Sequence, residues 1–228
     1  MIKRLYYIIL QRIYVFINKY KPSQGKVYMF HNVDDTNDIY SITKNDFESF
    51  LMWLLENKKI VDAKTLIKEK DKNNVVITFD DVYASVYKNA YPLLKKHKVP
   101  YYIFVNNDLL NKDNYVTDKM VKEMLNKSNC ILGSHNLKHE LSRFKDIELF
   151  KKEIKNSKKE LEKTFDIKVN DFAFPYGSMY ACSKENINEV FKLYKNVYMT
   201  YALPYNEDYK NIIPRININS KNYRREMN

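Results

Sequence analysis

Val75-Val76-Ile77-Thr78-Phe79-Asp80-Asp81 is the stretch on which the fold turns. An unbroken β-branched and apolar run of this length is too short for a buried helix. It predicts a strand covered on both faces, the mark of a parallel sheet. Polar Asp71-Lys72-Asn73-Asn74 precedes it, and adjacent carboxylates follow it. Downstream, Val86, Ala90, Leu93 and Leu94 keep a helical spacing that closes near Lys98, and Tyr101-Tyr102-Ile103-Phe104-Val105 behind Pro100 predicts the next strand. Upstream lie another short apolar run, Val27-Tyr28-Met29-Phe30-His31, and a predicted helix over residues 47–55 with Asn45 or Asp46 as its N-cap.

The alternation continues to the end of the chain. Helices are expected over residues 119–125, 147–164 and 183–192, and strands over residues 130–133, 171–174, 197–200 and 212–218. Strand–helix alternation implies right-handed βαβ units and a mainly parallel sheet, so the chain is expected to form an α/β domain. No repeat, low-complexity tract or interdomain linker interrupts it.

Composition narrows the function classes. A chain of 228 residues with 45% hydrophobic and 14% aromatic content can bury a substantial core, which excludes extensive disorder. The formal charge of +11 fits an acidic partner or a lysine-rich solvated surface. No basic–aromatic motif for reading RNA or DNA is present, so a nucleic-acid partner is not expected. Cys130 and Cys182 lack metal-site or disulfide spacing and read as small apolar packing residues.

The first 25 residues differ from the rest. No acidic residue precedes Asp34, whereas Lys3, Arg4, Arg12, Lys19, Lys21 and Lys26 do. As a helix, the segment places Ile2, Leu5, Ile9, Ile13 and Phe16 on one side. It is too short and charged to span a bilayer, and no small-residue cleavage site follows it. Two readings stand: peripheral membrane contact through residues 1–20, or a helix packed on the domain's own core. The sequence thus divides into residues 1–25, a basic amphipathic segment, and residues 26–228, the α/β domain. The expected location is the cytoplasm, with contact at the inner face of the membrane.

In parallel α/β folds, ligands gather beyond the carboxyl ends of the strands. His31, Asp80 with Asp81, His135 with His139, and Tyr176 with Gly177 all fall at such ends. Two imidazoles and one carboxylate leave a position open on Zn²⁺ or a similar divalent metal for water. A second carboxylate can act as base toward that water, and a separate imidazole can protonate a departing amine. Asp80, Asp81, His135, His139 and His31 supply one complete set. His97, within Lys95-Lys96-His97-Lys98, reads as a surface residue near a helix end.

With these motifs in this order, residues 27–219 resemble the polysaccharide deacetylase family, the NodB-homology carbohydrate esterases. Thr78-Phe79-Asp80-Asp81 is similar to the family's TFDD motif, which implies Asp80 as catalytic base and Asp81 as metal ligand. Ser134-His135-Asn136-Leu137-Lys138-His139 resembles the H-[ST]-x-x-H motif, implying both histidines as ligands. Phe172-Ala173-Phe174-Pro175-Tyr176-Gly177 resembles R-x-P-Y-G, implying that the Tyr176 backbone N–H holds an oxyanion. The family's acid histidine usually lies near the C-terminus, but no histidine follows His139 here. Phe30-His31-Asn32-Val33 instead resembles the Y-H-x-V motif of a circularly permuted branch, similar to the biofilm poly-N-acetylglucosamine deacetylases, which implies His31 as the acid.

The resemblance implies a distorted, incomplete (β/α)7 TIM-like barrel. It also implies a metal-dependent deacetylase, most simply with Zn²⁺, acting on N-acetyl groups of an amino sugar in a polysaccharide or glycolipid. Val82, Asn136 and Ala173 depart from the family's Gly, Ser or Thr, and Arg at those places. Arg215, in Pro214-Arg215-Ile216, is the expected replacement for the missing Arg, from its position alone. The competing expectations are a catalytically degenerate glycan-binding member, or hydrolysis of an ester or another amide at the same site.

Overall fold

A computed structural model describes residues 2–36 and 38–227. The chain begins with α1 (Ile2–Asn18), then β1 (Lys26–Phe30), a short parallel pair formed by β2 (Asn32–Val33) and β3 (Ser41–Ile42), and α2 (Lys44–Asn57). β4 (Lys59–Ile60), α3 (Ala63–Glu69) and β5 (Asn74–Asp80) follow, then α4 (Tyr91–Lys96) and β6 (Tyr101–Val105). The second half runs α5 (Asp118–Lys127), β7 (Cys130–Ser134), α6 (Ile147–Phe165), β8 (Asp171–Ala173), α7 (Lys184–Phe191) and β9 (Asn196–Met199). β10 (Ile212–Pro214), β11 (Ile216–Asn217) and the short α8 (Tyr223–Glu226) complete it.

The main sheet has nine strands, all parallel, in the order β10-β9-β8-β7-β6-β5-β1-β11, with β4 beside the start of β5. β10 pairs with β9 while β11 pairs with β1, although only Arg215 separates β10 from β11. This one extended segment therefore joins the two edges and nearly closes the sheet. Counting it once, seven positions surround the axis, and the expected incomplete (β/α)7 barrel is what forms. The weakest join is between β7 and β8, where the pairing is only Ser134 with Phe172.

Alternation along the strands sorts side chains into two cores. Val27, Val76, Tyr102, Phe104, Ala173, Tyr198 and Ile213 fill the barrel interior. Their neighbours, among them Tyr28, Val75, Ile77, Tyr101, Ile103, Phe172 and Val197, face the helices. Gly133 lies on the interior parity of β7, and a Cβ there would meet the Phe104 ring at 2.3 Å. The glycine is what lets Phe104 fill the lumen.

Four sequence expectations are revised. The helix over 47–55 starts earlier, because Thr43 rather than Asn45 or Asp46 is its N-cap and accepts the Asp46 N–H. The helix expected from Val86 to Lys98 opens as a π turn, Val86–Ala90, before α4. Pro92 has no N–H to offer Lys88, so regular α-helical bonding cannot run through it. β4 and α3, the latter capped by Asp62, were not anticipated. The expected strand over 212–218 is broken at Arg215, whose N–H bonds to the Met199 carbonyl at 2.8 Å.

α1 forms as expected but sits on the domain by a different face. Gln11 binds the Thr200 carbonyl at 3.0 Å and receives the Met179 N–H at 2.9 Å. Tyr14 packs edge-on against Tyr201 with ring centres 5.5 Å apart. Leu5, Ile9, Ile13 and Phe16 remain exposed, so core packing does not account for the apolar side; the side chain of Ile2 lies outside the described residues. No helix among the described residues is long and apolar enough to cross a membrane.

Candidate active site

The parity that fills the barrel interior continues past the strand ends and brings the predicted residues together. Positions 76, 78 and 80 share one side of β5; 27, 29 and 31 share one side of β1; 213 and 215 share one side of the last segment. Asp80, His31, His135 and Arg215 therefore converge at the carboxyl end of the barrel. His31, Asp80, Asp81, His135, His139 and Tyr176 line one cavity of about 370 Å³, completed by Met29, Tyr40, Tyr83, Thr200 and Asn217. A cavity of about 500 Å³ at the amino-terminal end of β7 and β8 holds none of these groups.

Asp81, His135 and His139 present ligand atoms all within 4.8 Å of one another. Asp81 Oδ1 lies 3.3 Å from His139 Nε2 and 3.6 Å from His135 Nε2, and it is buried without a hydrogen-bond partner. His135 Nδ1 donates to the Ala173 carbonyl at 2.9 Å, which leaves its Nε2 lone pair facing Asp81. Burial holds His135 below the usual imidazole range despite the nearby Asp80 and Asp81, so the ring is neutral. A buried carboxylate oxygen with no donor, facing the lone pair of an imidazole, is suited to receive a cation. The donor set fits a small divalent metal.

Asp80 is held differently. Arg215 Nη1 donates to its Oδ1 at 2.6 Å and Nη2 to its Oδ2 at 2.7 Å, a two-pronged pair with both side chains buried. Burial by itself would push the carboxyl up. Arg215, His135 and His31 outweigh it and keep Asp80 down at about 2. The guanidinium also lies over the Phe104 and Tyr198 rings, at 5.3 and 5.9 Å, so the lumen aromatics help hold the charge. Ala173 belongs to the same lumen cluster as those two rings. The small residue on β8 and the arginine from the closing segment, two strands away, occupy this interior together.

His31 is half-buried, its Nδ1 is buried with no partner, and its ring centre lies 5.3 Å from that of Tyr40. Burial pushes its imidazole down, more strongly than Asp80 and Asp81 draw it up. Tyr176 stands over the cavity mouth with its ring centre 4.7 Å from that of His139. Its φ of 63° and the 54° of Gly177 make the sharp turn after β8. A Cβ on residue 177 would meet Thr200 Oγ1 at 2.6 Å, so this glycine is required by both space and backbone.

The remaining departures from the family pattern acquire physical meaning. Val82 adopts φ 51°, an outlier for a β-branched residue, and follows Asp81 at 58°. The strained turn is tied by the Val82 N–H to the Asp80 carbonyl at 2.6 Å and by the Val116 N–H to the Val82 carbonyl at 3.1 Å. Asn136 also has a left-handed φ, 63°, which Asn tolerates better than Ser or Thr. Its side chain reaches the Lys138 carbonyl at 3.3 Å and Glu153 at 3.4 Å, bracing the loop between the two histidines.

Sequence reasoning missed the supports beneath that loop. Asn106, at the end of β6, donates to the His135 carbonyl at 3.0 Å and the Asn136 carbonyl at 3.1 Å. Glu153 is buried on α6 and pairs with Lys145 at 2.6 Å, and Lys145 also reaches Glu140 at 2.6 Å. The available signal was a charge in the apolar register of α6, with Glu153 beside Phe150, Ile154, Ser157 and Leu161.

The polysaccharide deacetylase family model matches residues 67–202, more than half of the chain. The chain belongs to the polysaccharide deacetylase family. Members are hydrolases of non-peptide carbon–nitrogen bonds. A poly-β-1,6-N-acetyl-D-glucosamine N-deacetylase of Staphylococcus aureus is 29% identical over 195 residues, 71% of this chain and 67% of the relative. Among solved structures, IcaB from Ammonifex degensii superposes with a TM-score of 0.80 at 19% identity, over 90% of this chain and 96% of that one. The Streptococcus pyogenes deacetylase PplD gives 0.76 at 20%, over 90% and 98%. At such identities these structures show a shared fold. In this deacetylase-family chain, His31 and Arg215 both lie outside the span that the family model matches.

Proposed function

We propose that the chain is a metal-dependent N-deacetylase of an amino-sugar polymer or glycolipid. The observation that carries this reading is the buried, donorless Asp81 oxygen facing His135 and His139, next to an Asp80 kept ionised by Arg215. Asp81, His135 and His139 would hold the ion, with Zn²⁺ the best match to two imidazoles and a carboxylate. When bound, such an ion lowers the pKa of water and polarises the acetamide carbonyl.

The chain's own groups divide the rest of the reaction. Asp80 accepts the proton of the water that attacks the acetamide carbon, and Arg215 fixes both of its oxygens so that it does not rotate and begins the reaction ionised. The backbone N–H of Tyr176 donates to the developing oxyanion. His31, in its protonated form, delivers a proton to the sugar nitrogen as the carbon–nitrogen bond breaks, releasing the amine and acetate. Val82 and Ala173 argue less for a degenerate binding protein once Arg215 is seen on Asp80.

The naming of the Staphylococcus aureus relative supports poly-β-1,6-N-acetylglucosamine as the first substrate to try. Incubation of β-1,6-linked N-acetylglucosamine oligomers with the Zn²⁺-loaded protein should release acetate and leave products lighter by one acetyl group per cut. A screen of N-acetylated glycans with no mass loss in any of them would overturn the reading.

A further inference from the structure

α1 is anchored along one face and bare along the other. Tyr7, Gln11, Tyr14 and Asn18, spaced four, three and four residues apart, turn toward the domain. Arg143 donates to the Tyr7 hydroxyl at 3.1 Å and stacks on its ring at 4.0 Å. The opposite face presents Leu5, Ile9, Ile13, Phe16 and Ile17, each between 48 and 65% exposed. From Leu5 to Ile17 this is an apolar stripe about 18 Å long. Phe144 flanks the N-terminal half of the helix: half exposed, it packs against Tyr180, which in turn packs against Tyr7, and it lines a shallow surface cavity with Lys3 and Tyr6.

The rim of the stripe is basic throughout. Lys3, Arg4, Arg12 and Lys19 are exposed along α1, and no acidic residue occurs before Asp34. A second copy of the chain docked face to face would set these cations against their own kind. An anionic lipid surface satisfies both features at once, taking the apolar side chains into the acyl boundary and the cations into the headgroups. α1 cannot span such a bilayer, so it would lie along it.

We propose that α1 and Phe144 form a membrane-binding face that seats the cavity mouth beside an anionic bilayer. The connection to the mouth is direct. Gln11 holds the carbonyl of Thr200, a residue that lines the cavity and whose N–H ties down the Gly177 carbonyl at 2.7 Å. Arg143, bound to Tyr7, follows closely on the His139 loop. The helix therefore fixes both sides of the mouth relative to the lipid, a position suited to a glycan that emerges from or is attached to a membrane.

Co-sedimentation with vesicles tests this. The full chain should pellet with phosphatidylglycerol–phosphatidylcholine vesicles, stay in the supernatant with pure phosphatidylcholine, and release at high salt. The triple variant Ile9→Glu, Ile13→Glu, Phe16→Glu should lose pelleting, while acetate release from a short water-soluble oligomer is unchanged. Replacing Arg4, Arg12 and Lys19 with Gln should weaken partitioning by roughly a hundredfold. Wild-type protein left in the supernatant with phosphatidylglycerol vesicles overturns the proposal. So does a concentration-dependent dimer in sedimentation velocity that the Ile9, Ile13 and Phe16 variant abolishes.

Discussion

Arg215 grips Asp80 through both carboxylate oxygens, at 2.6 and 2.7 Å, from the single residue that separates β10 from β11. The same residue breaks the closing strand and orients the proposed base. Its place in the lumen is possible because β8 contributes only Ala173 to the shared cluster.

Replacing Arg215 with Ala leaves a buried carboxylate without its counter-ion, which should cost about 3–5 kcal/mol. Arg215→Lys keeps the charge but not the fork, and should fold better while turning over poorly. The pH dependence carries a sign. Asp80 sits at about 2 against an ordinary 3.8, so its stabilisation is full above 3.8 and lost as pH falls through about 2. Without Arg215, burial pushes the carboxyl up instead, and the variant should recover stability relative to wild type as pH drops from 7 toward 4. Urea unfolding of both proteins across that range checks this; a gap that widens on acidification contradicts it.

Asp80→Asn and His31→Ala should each lower the rate of acetate release by about a hundredfold or more. Neither residue belongs to the proposed ligand set, so bound Zn²⁺ measured by elemental analysis should stay near wild type. Asp81→Ala and His135→Ala should lose the metal itself. Full activity in Asp80→Asn would remove the assigned base.

Chelation should act on stability as well as on activity. An ion that binds only the folded chain adds about 2.7 kcal/mol at a hundredfold excess over its Kd. Dialysis against EDTA should therefore lower the Tm and abolish acetate release, and added Zn²⁺ should restore both. A Tm indifferent to chelation would exclude Asp81, His135 and His139 as a filled metal site.

Lys145 and Glu153 form a buried pair under the loop that carries His135 and His139. Glu153→Ala leaves Lys145 only the exposed Glu140 as partner and frees Asn136, so it should cost about 1–3 kcal/mol and weaken Zn²⁺ binding about 10- to 100-fold. The double variant Lys145→Met, Glu153→Leu should regain most of the stability, because no lone charge remains, but not the metal affinity. Equal recovery of both would mean that the pair is structural only.

The sequence by itself determined much of this protein because its signals were local. Apolar runs closed by Asp80, His135 and Tyr176 declare strands with chemistry at their carboxyl ends, and period-two alternation then fixes which side chains face the lumen. A mainly parallel α/β sheet and the proposed ligand residues at its carboxyl end were legible on those grounds, whereas the incomplete barrel followed from the family resemblance. Tertiary structure decided what depends on meetings between distant segments. Arg215 meets Asp80 across 135 positions because the last strand closes the sheet, and Glu153 meets Asn136 because α6 packs over β7. The small elements β4 and α3 and the Thr43 cap rest on a few local hydrogen bonds that no periodicity records. The apolar stripe of α1 was visible in sequence, but which face the domain would claim was not. Polar bonds of Gln11 and Arg143 settle it, and they leave the hydrophobic side bare.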